Sequence, residues 1–201
     1  MQVYQPKIIP QPMFIRRSYM SPIDSKATEM SLLRIYAAPG IIVGSVVAWL
    51  FWVLAGEHHS VRPELLVSPM AALFTLTALV WSIMVVVRNI AVIRGHASLG
   101  YFADYKSDIP ADDRFERPAR TFNNLMQVPP LFYVICLLML VVKDADNVQI
   151  ALAWAFVALR CIHAIIYMAV NWVPYRFATW ASSSIILGTL WFRFVTVVGF
   201  G

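Results

Sequence analysis

From Pro69 to about Ile93 the chain is apolar, interrupted only by Arg88 and Asn89 near the end of the run. An apolar stretch of this length has few structural options. Roughly 20 residues of helix cross the hydrocarbon core of a bilayer, and a helix satisfies its own backbone polar groups there. Four more segments share this character: about Met30 to Ala55, Glu116 to Val142, about Val148 to Trp172, and about Arg176 to Val198. In the first of these the strongest part, Ile41 to Ala55, is short for a span, so its helix has to extend back towards Leu32. Of the 201 residues 60% are hydrophobic and 13% charged, where a soluble domain carries about a quarter charged residues. The fold class that follows is all-α, an integral membrane helical bundle with a single membrane domain.

The connections complete the outline. Residues 1–29 form a basic, Pro-rich tail with Pro6, Pro10, Pro12 and Pro22. It lacks the apolar core and small-residue cleavage site of a signal peptide. It reads either as a disordered or interfacial tail or as an extended arm that docks on a partner, since proline lowers the cost of ordering such an arm. A polar loop, Gly56 to Ser68, contains Glu57-His58-His59; adjacent side chains on an extended strand diverge, so a solvated loop is expected rather than a metal site. The loop Arg94 to Asp113 is the longest polar connection, and Tyr101, Phe102 and Tyr105 either skim the membrane surface or lie in a plain surface loop. Lys143 to Asn147 is short enough to make its flanking segments antiparallel neighbours. Cys136 and Cys161 fall in apolar segments and read as unpaired, buried thiols. Ser182, Ser183 and Ser184 mark a point where helices approach closely.

Basic residues set an expected orientation. Lys7, Arg16, Arg17, Lys26 and Arg34 precede the first span, and Arg88, Arg94, Lys106, Arg114, Arg117 and Arg120 surround the second loop; the first and third loops carry essentially Arg62 and Lys143. This bias places the N-terminus in the cytoplasm. The net charge of +5 is dispersed and does not suggest nucleic acid.

Polar residues inside the third and fourth segments are the candidates for function. Arg117, Arg120, Asn124 and Gln127 step by three, four and three, which puts them on one helical face. Arg160, His163 and Tyr167 share a face of the next segment, and Arg176 follows at its far end. Pro129 and Pro130 predict a kink just after Gln127. Singly, His163 reads as a packing histidine, Arg120 and Arg176 as interfacial anchors, and Tyr167 as packing. Taken together they point to one polar pocket between helices, because idle charge at membrane depth is costly. No zinc-like spacing, Gly-rich phosphate loop or Ser-His-Asp pattern accompanies them.

The run ERPARTFNN followed by Gln127 and Pro130-Leu131-Phe132, then Arg160-x-x-His163-x-x-x-Tyr167 and Arg176, resembles the MAPEG family. These are the membrane-associated proteins in eicosanoid and glutathione metabolism, among them prostaglandin E and leukotriene C synthases, microsomal glutathione transferases and many bacterial members. The resemblance covers about residues 70 to 198 and implies a four-helix bundle, so the chain divides into a tail (1–29), an additional transmembrane helix (30–56) and a MAPEG-like membrane domain (69–200). A divergent bacterial-type member would lie in the bacterial inner membrane. The resemblance implies a homotrimer that binds glutathione between subunits near the cytoplasmic side, with no metal. Arg120, Asn124, Gln127, Arg160 and His163 match binding positions, and Arg176 with Tyr167 would activate the thiolate.

This chain departs from the pattern at four positions. Gln127 stands where the synthases have a glutamate, Asn123 where the prostaglandin synthase has an arginine, Phe177 where it has a serine, and Trp180 where a tyrosine is common. Two readings follow. One is a glutathione-dependent transferase, peroxidase or isomerase acting on lipophilic substrates. The other is a non-catalytic accessory or scaffold subunit of a larger membrane complex, with the tail and first helix as its contact surface.

Overall fold

A computed structural model describes residues 22–96 and 113–200. The expectations for residues 1–21 and for Tyr101, Phe102 and Tyr105 lie outside them. Among the described residues the chain is helical: α1 (Pro22–Ala55), a short 3-10 turn (Pro63–Leu66), α2 (Val67–Ile93), α3 (Asp113–Leu125), α4 (Pro129–Val142), α5 (Asn147–Ala169) and α6 (Val173–Phe200). Five stretches are long and apolar enough to cross a membrane: Ile35–Ala55, Pro63–Ile93, Asp113–Val142, Asn147–Ala169 and Val173–Val197.

The chain divides into two units, residues 1–35 and 36–201. In the first, the helix begins at Pro22, inside the stretch read from sequence as tail. Proline suits a first helical turn because its missing N–H would be unpaired there anyway.

The second unit carries the bundle. α5 and α6 share the most extensive helix pair, and α2 packs against α3, α4 and α5. The core runs through Leu73, Phe132, Met139, Leu152, Phe156 and Leu190, all fully buried, and Leu50 of α1 joins it. Phe132 of α4 and Phe156 of α5 stack with ring centroids 4.8 Å apart. Ser182 and Ser183 are fully buried on α6, as close helix approach requires.

Each helix end that positions the site has a local cause. α2 stops at Gly95, whose φ of +70° suits glycine; its N–H bonds Val92 O and that of His96 bonds Ala91 O. His96 then stacks on Phe115 of α3 at 5.5 Å, and Arg88 pairs with Glu116 at 4.0 Å, so the end of α2 is tied to the start of α3. The kink expected at Pro129-Pro130 is a full break: α3 ends at Leu125 and α4 restarts with Pro129 in its first turn. Neither proline can donate to the carbonyl four residues back, so the helix cannot run through.

α5 opens with a capping box. Asp146 Oδ1 accepts from Gln149 N at 2.8 Å, and Gln149 Oε1 accepts from Asp146 N at 2.9 Å. Arg193 of α6 pairs with Asp146 through Nε at 2.7 Å, with both side chains 15% exposed. The Glu57-His58-His59 loop is clipped to the same place. Asn147 bonds the backbone of Glu57 and His59, and Ser60 bridges Asp146.

Candidate functional site

α3, α5 and α6 converge on a cavity of about 420 Å³, lined by Asn124, His163, Tyr167, Val173, Arg176, Phe177 and Trp180. The sequence spacing explains the shared wall. His163 and Tyr167 lie one turn apart on α5, and Val173, Arg176, Phe177 and Trp180 recur at three and four residues on α6.

Two arginines set the electrostatics. Arg160 is fully buried. Its Nη1 donates to Asn124 Oδ1 at 3.0 Å and its guanidinium lies 5.2 Å from the Phe156 ring centroid. Among the described residues, Arg160 Nε and Nη2 are buried without a hydrogen-bond partner. Arg176 lies 4.3 Å from the ring centroid of Tyr167, a cation–π geometry, and its Nη1 donates to Asn171 Oδ1 at 2.7 Å. Asn171 adopts a left-handed φ of 52° and its N–H bonds Ile166 O, which ends α5. The same residue therefore terminates one helix and holds the arginine of the next. The negative end of the α5 dipole favours cations here, and Arg117 also donates to Ala169 O at 2.9 Å.

His163 is almost fully buried. Its Nδ1 lies 3.0 Å from Arg176 O and 3.2 Å from Thr179 Oγ1. A carbonyl only accepts, so Nδ1 carries the proton. In the neutral ring Nε2 is then an acceptor, and among the described residues it has no partner. Thr179 Oγ1 lies 3.0 Å from the backbone oxygens of Tyr175 and Arg176. By donating there it is free to accept from His163.

The structure brings Asn124, His163, Tyr167 and Arg176 to the cavity, with Arg160 directly behind Asn124. It does not bring Arg120 or Gln127. Arg120 and Arg117 both grip Asp113. Gln127 is exposed in the turn between α3 and α4, because the helical face that would carry it to Asn124 ends at Leu125. Asn123 is exposed. Phe177 and Trp180 wall the cavity with their rings 6.1 Å apart. Asn171 and Thr179, which hold Arg176 and His163, were not singled out from sequence. Thr179 carried a usable signal, three residues beyond Arg176 on the same helical face, whereas Asn171 acts across a turn and carried none.

No curated protein and no solved structure matches the chain. The model of the MAPEG family matches residues 66–196, which takes in α2 to α5, most of α6 and every residue lining the cavity. With five bilayer-length apolar stretches and that match, this chain is an integral membrane protein that belongs to the MAPEG family.

Proposed function

We propose that the cavity binds glutathione and presents it to a lipophilic electrophile or peroxide arriving from the bilayer. The observation that carries this reading is the unpaired polarity of the site. Among the described residues, buried His163 on the cavity wall keeps Nε2 without a partner, and Arg176 adds a cation to a lining that contains no carboxylate. Leaving such groups unpaired in a dry interior is costly, and an anionic peptide with carboxylates and N–H donors satisfies them. The volume falls in the about 300–1,000 Å³ range of small-molecule sites.

Bound glutathione supplies a thiol whose ionised form attacks the second substrate. Arg176 provides the nearby cation that favours a thiolate, and Tyr167 with Asn171 fixes its guanidinium. His163 Nε2 accepts a hydrogen bond from the peptide, and Asn124 orients Arg160. Val173 and Phe177 are 56% and 63% exposed on the single chain, an apolar wall that suits lateral entry of a lipophilic substrate. The active assembly is a homotrimer in the bacterial inner membrane with a cytoplasmic N-terminus.

The test is glutathione conjugation or peroxide reduction by the purified protein with a panel of lipophilic substrates. The proposal expects turnover that Arg176→Ala removes without changing the mass of the assembly. One observation favours the accessory-subunit reading instead: Arg120 is spent on Asp113, and Gln127 lies outside the cavity. Absence of turnover, with unrelated membrane proteins co-purifying in fixed ratio, would support it.

A further inference from the structure

We infer that a furrow between α1 and α5 holds an acyl chain of a phospholipid whose ammonium headgroup rests at Glu57. Two cavities of about 260 and 300 Å³ follow one another along this helix pair. The deeper one lies between Ser45 and Trp49 of α1 and Ala155, Ala158 and Ile162 of α5. The outer one lies between Trp52, Gly56 and Glu57 and the first turns of α5 at Asn147 and Ala151. On each helix these positions recur at three- and four-residue steps, so each contributes one continuous stripe. On α5 the stripe is narrow at Ala151, Ala155 and Ala158, and the two helices do not close over it.

The dimensions fit one leaflet. Asn147 to Ile162 rises about 22 Å at ~1.5 Å per residue, against about 20–22 Å for one leaflet with its headgroup region. The deep lining is apolar apart from Ser45. It offers water too few partners, while an acyl chain restores the dispersion contacts that unpacked side chains lose. The outer end is polar and fixed, because Asn147 Nδ2 donates to Glu57 O at 3.1 Å. Trp49 and Trp52 lie on the same stripe, as interfacial aromatics do.

Charge selects the headgroup. The exposed Glu57 carboxylate sits just beyond Ala55, where α1 ends and its dipole is negative. Both sources favour an ammonium group. Phosphatidylethanolamine supplies one; phosphatidylglycerol brings only negative charge to the same place.

The protein is purified in mild detergent and its retained lipids are identified by native mass spectrometry. Thermal stability is then read in nanodiscs of phosphatidylglycerol with and without phosphatidylethanolamine, because phosphatidylcholine would itself supply a quaternary ammonium. The inference expects retained phosphatidylethanolamine and a Tm several degrees higher with that lipid than with phosphatidylglycerol alone. Ala155→Trp fills the furrow and should lose the retained lipid. Glu57→Gln, an exposed change that leaves the bundle intact, should keep a lipid but lose the preference. An equal Tm of the unaltered protein in both nanodiscs, or no retained lipid, overturns the inference. So does an Ala155→Cys variant that cross-links copy to copy, because a second chain would then occupy the furrow.

Discussion

Arg160 Nη1 donates to Asn124 Oδ1 across 3.0 Å, and this bond joins α5 to α3 inside the bundle. Arg160 is fully buried, so the fate of this one bond decides how a charge is held at membrane depth. Removing the acceptor leaves a buried cation with less compensation than before. Asn124→Ala should therefore destabilise by about 1.5–3 kcal/mol, the range for hydrogen bonds to charged groups. Asn123→Ala, on an exposed neighbour, should stay within about 0.5 kcal/mol. Thermal denaturation of the two variants side by side in detergent checks the contrast.

Tyr167 presents its ring face to Arg176 at 4.3 Å. Tyr167→Phe keeps that face and should retain glutathione binding. Tyr167→Leu removes it and should weaken binding by about 2- to 30-fold, from ~0.5–2 kcal/mol for a cation–π contact. Calorimetric titration of both variants gives the comparison. If Tyr167→Phe loses as much as Tyr167→Leu, the hydroxyl and not the ring carries the role.

Thr179 accepts from His163 Nδ1 at 3.2 Å. Thr179→Val keeps the shape and deletes the acceptor, leaving His163 held only by the backbone oxygen of Arg176. Ligand affinity should fall by about fivefold, as for a net hydrogen bond of ~1 kcal/mol. Adding His163→Ala to Thr179→Val should then cost no more than His163→Ala alone, since the hydroxyl acts through the ring.

Asp146 serves as a stability control far from the cavity. It caps α5 and pairs with Arg193, and Arg193 lies 17 residues, about 25 Å, along α6 from Arg176. Asp146→Ala removes a cap worth about 1 kcal/mol and strands a mostly buried arginine. Its Tm should fall clearly while glutathione affinity per folded protein stays unchanged. A parallel loss of affinity would mean that the two ends of the bundle are coupled.

Much of the site was legible because helical spacing is rigid. Arg160, His163 and Tyr167 share a face of α5 by arithmetic, and the structure puts His163 and Tyr167 at the cavity with Arg160 behind Asn124. The same arithmetic failed at Gln127. It assumed an unbroken helix from Arg117 to Gln127, whereas Pro129-Pro130 deprives the carbonyls of Leu125 and Met126 of their donors and the helix ends early. Arg120 shows a different limit: Asp113, two turns earlier on the same helix, competes for its guanidinium. Asn171 was out of reach because its role depends on a left-handed backbone and a contact across a turn. The Asp146-x-x-Gln149 box was readable as a pattern, but its pairing with Arg193 depends on how α5 and α6 pack.

The most direct measurement is calorimetric titration of glutathione into the purified protein in mild detergent, beside its mass by light scattering and beside Arg176→Ala. The account predicts saturable binding to a homotrimer, lost in Arg176→Ala while the trimer persists. No heat of binding at millimolar glutathione, from an intact and folded assembly, would contradict it.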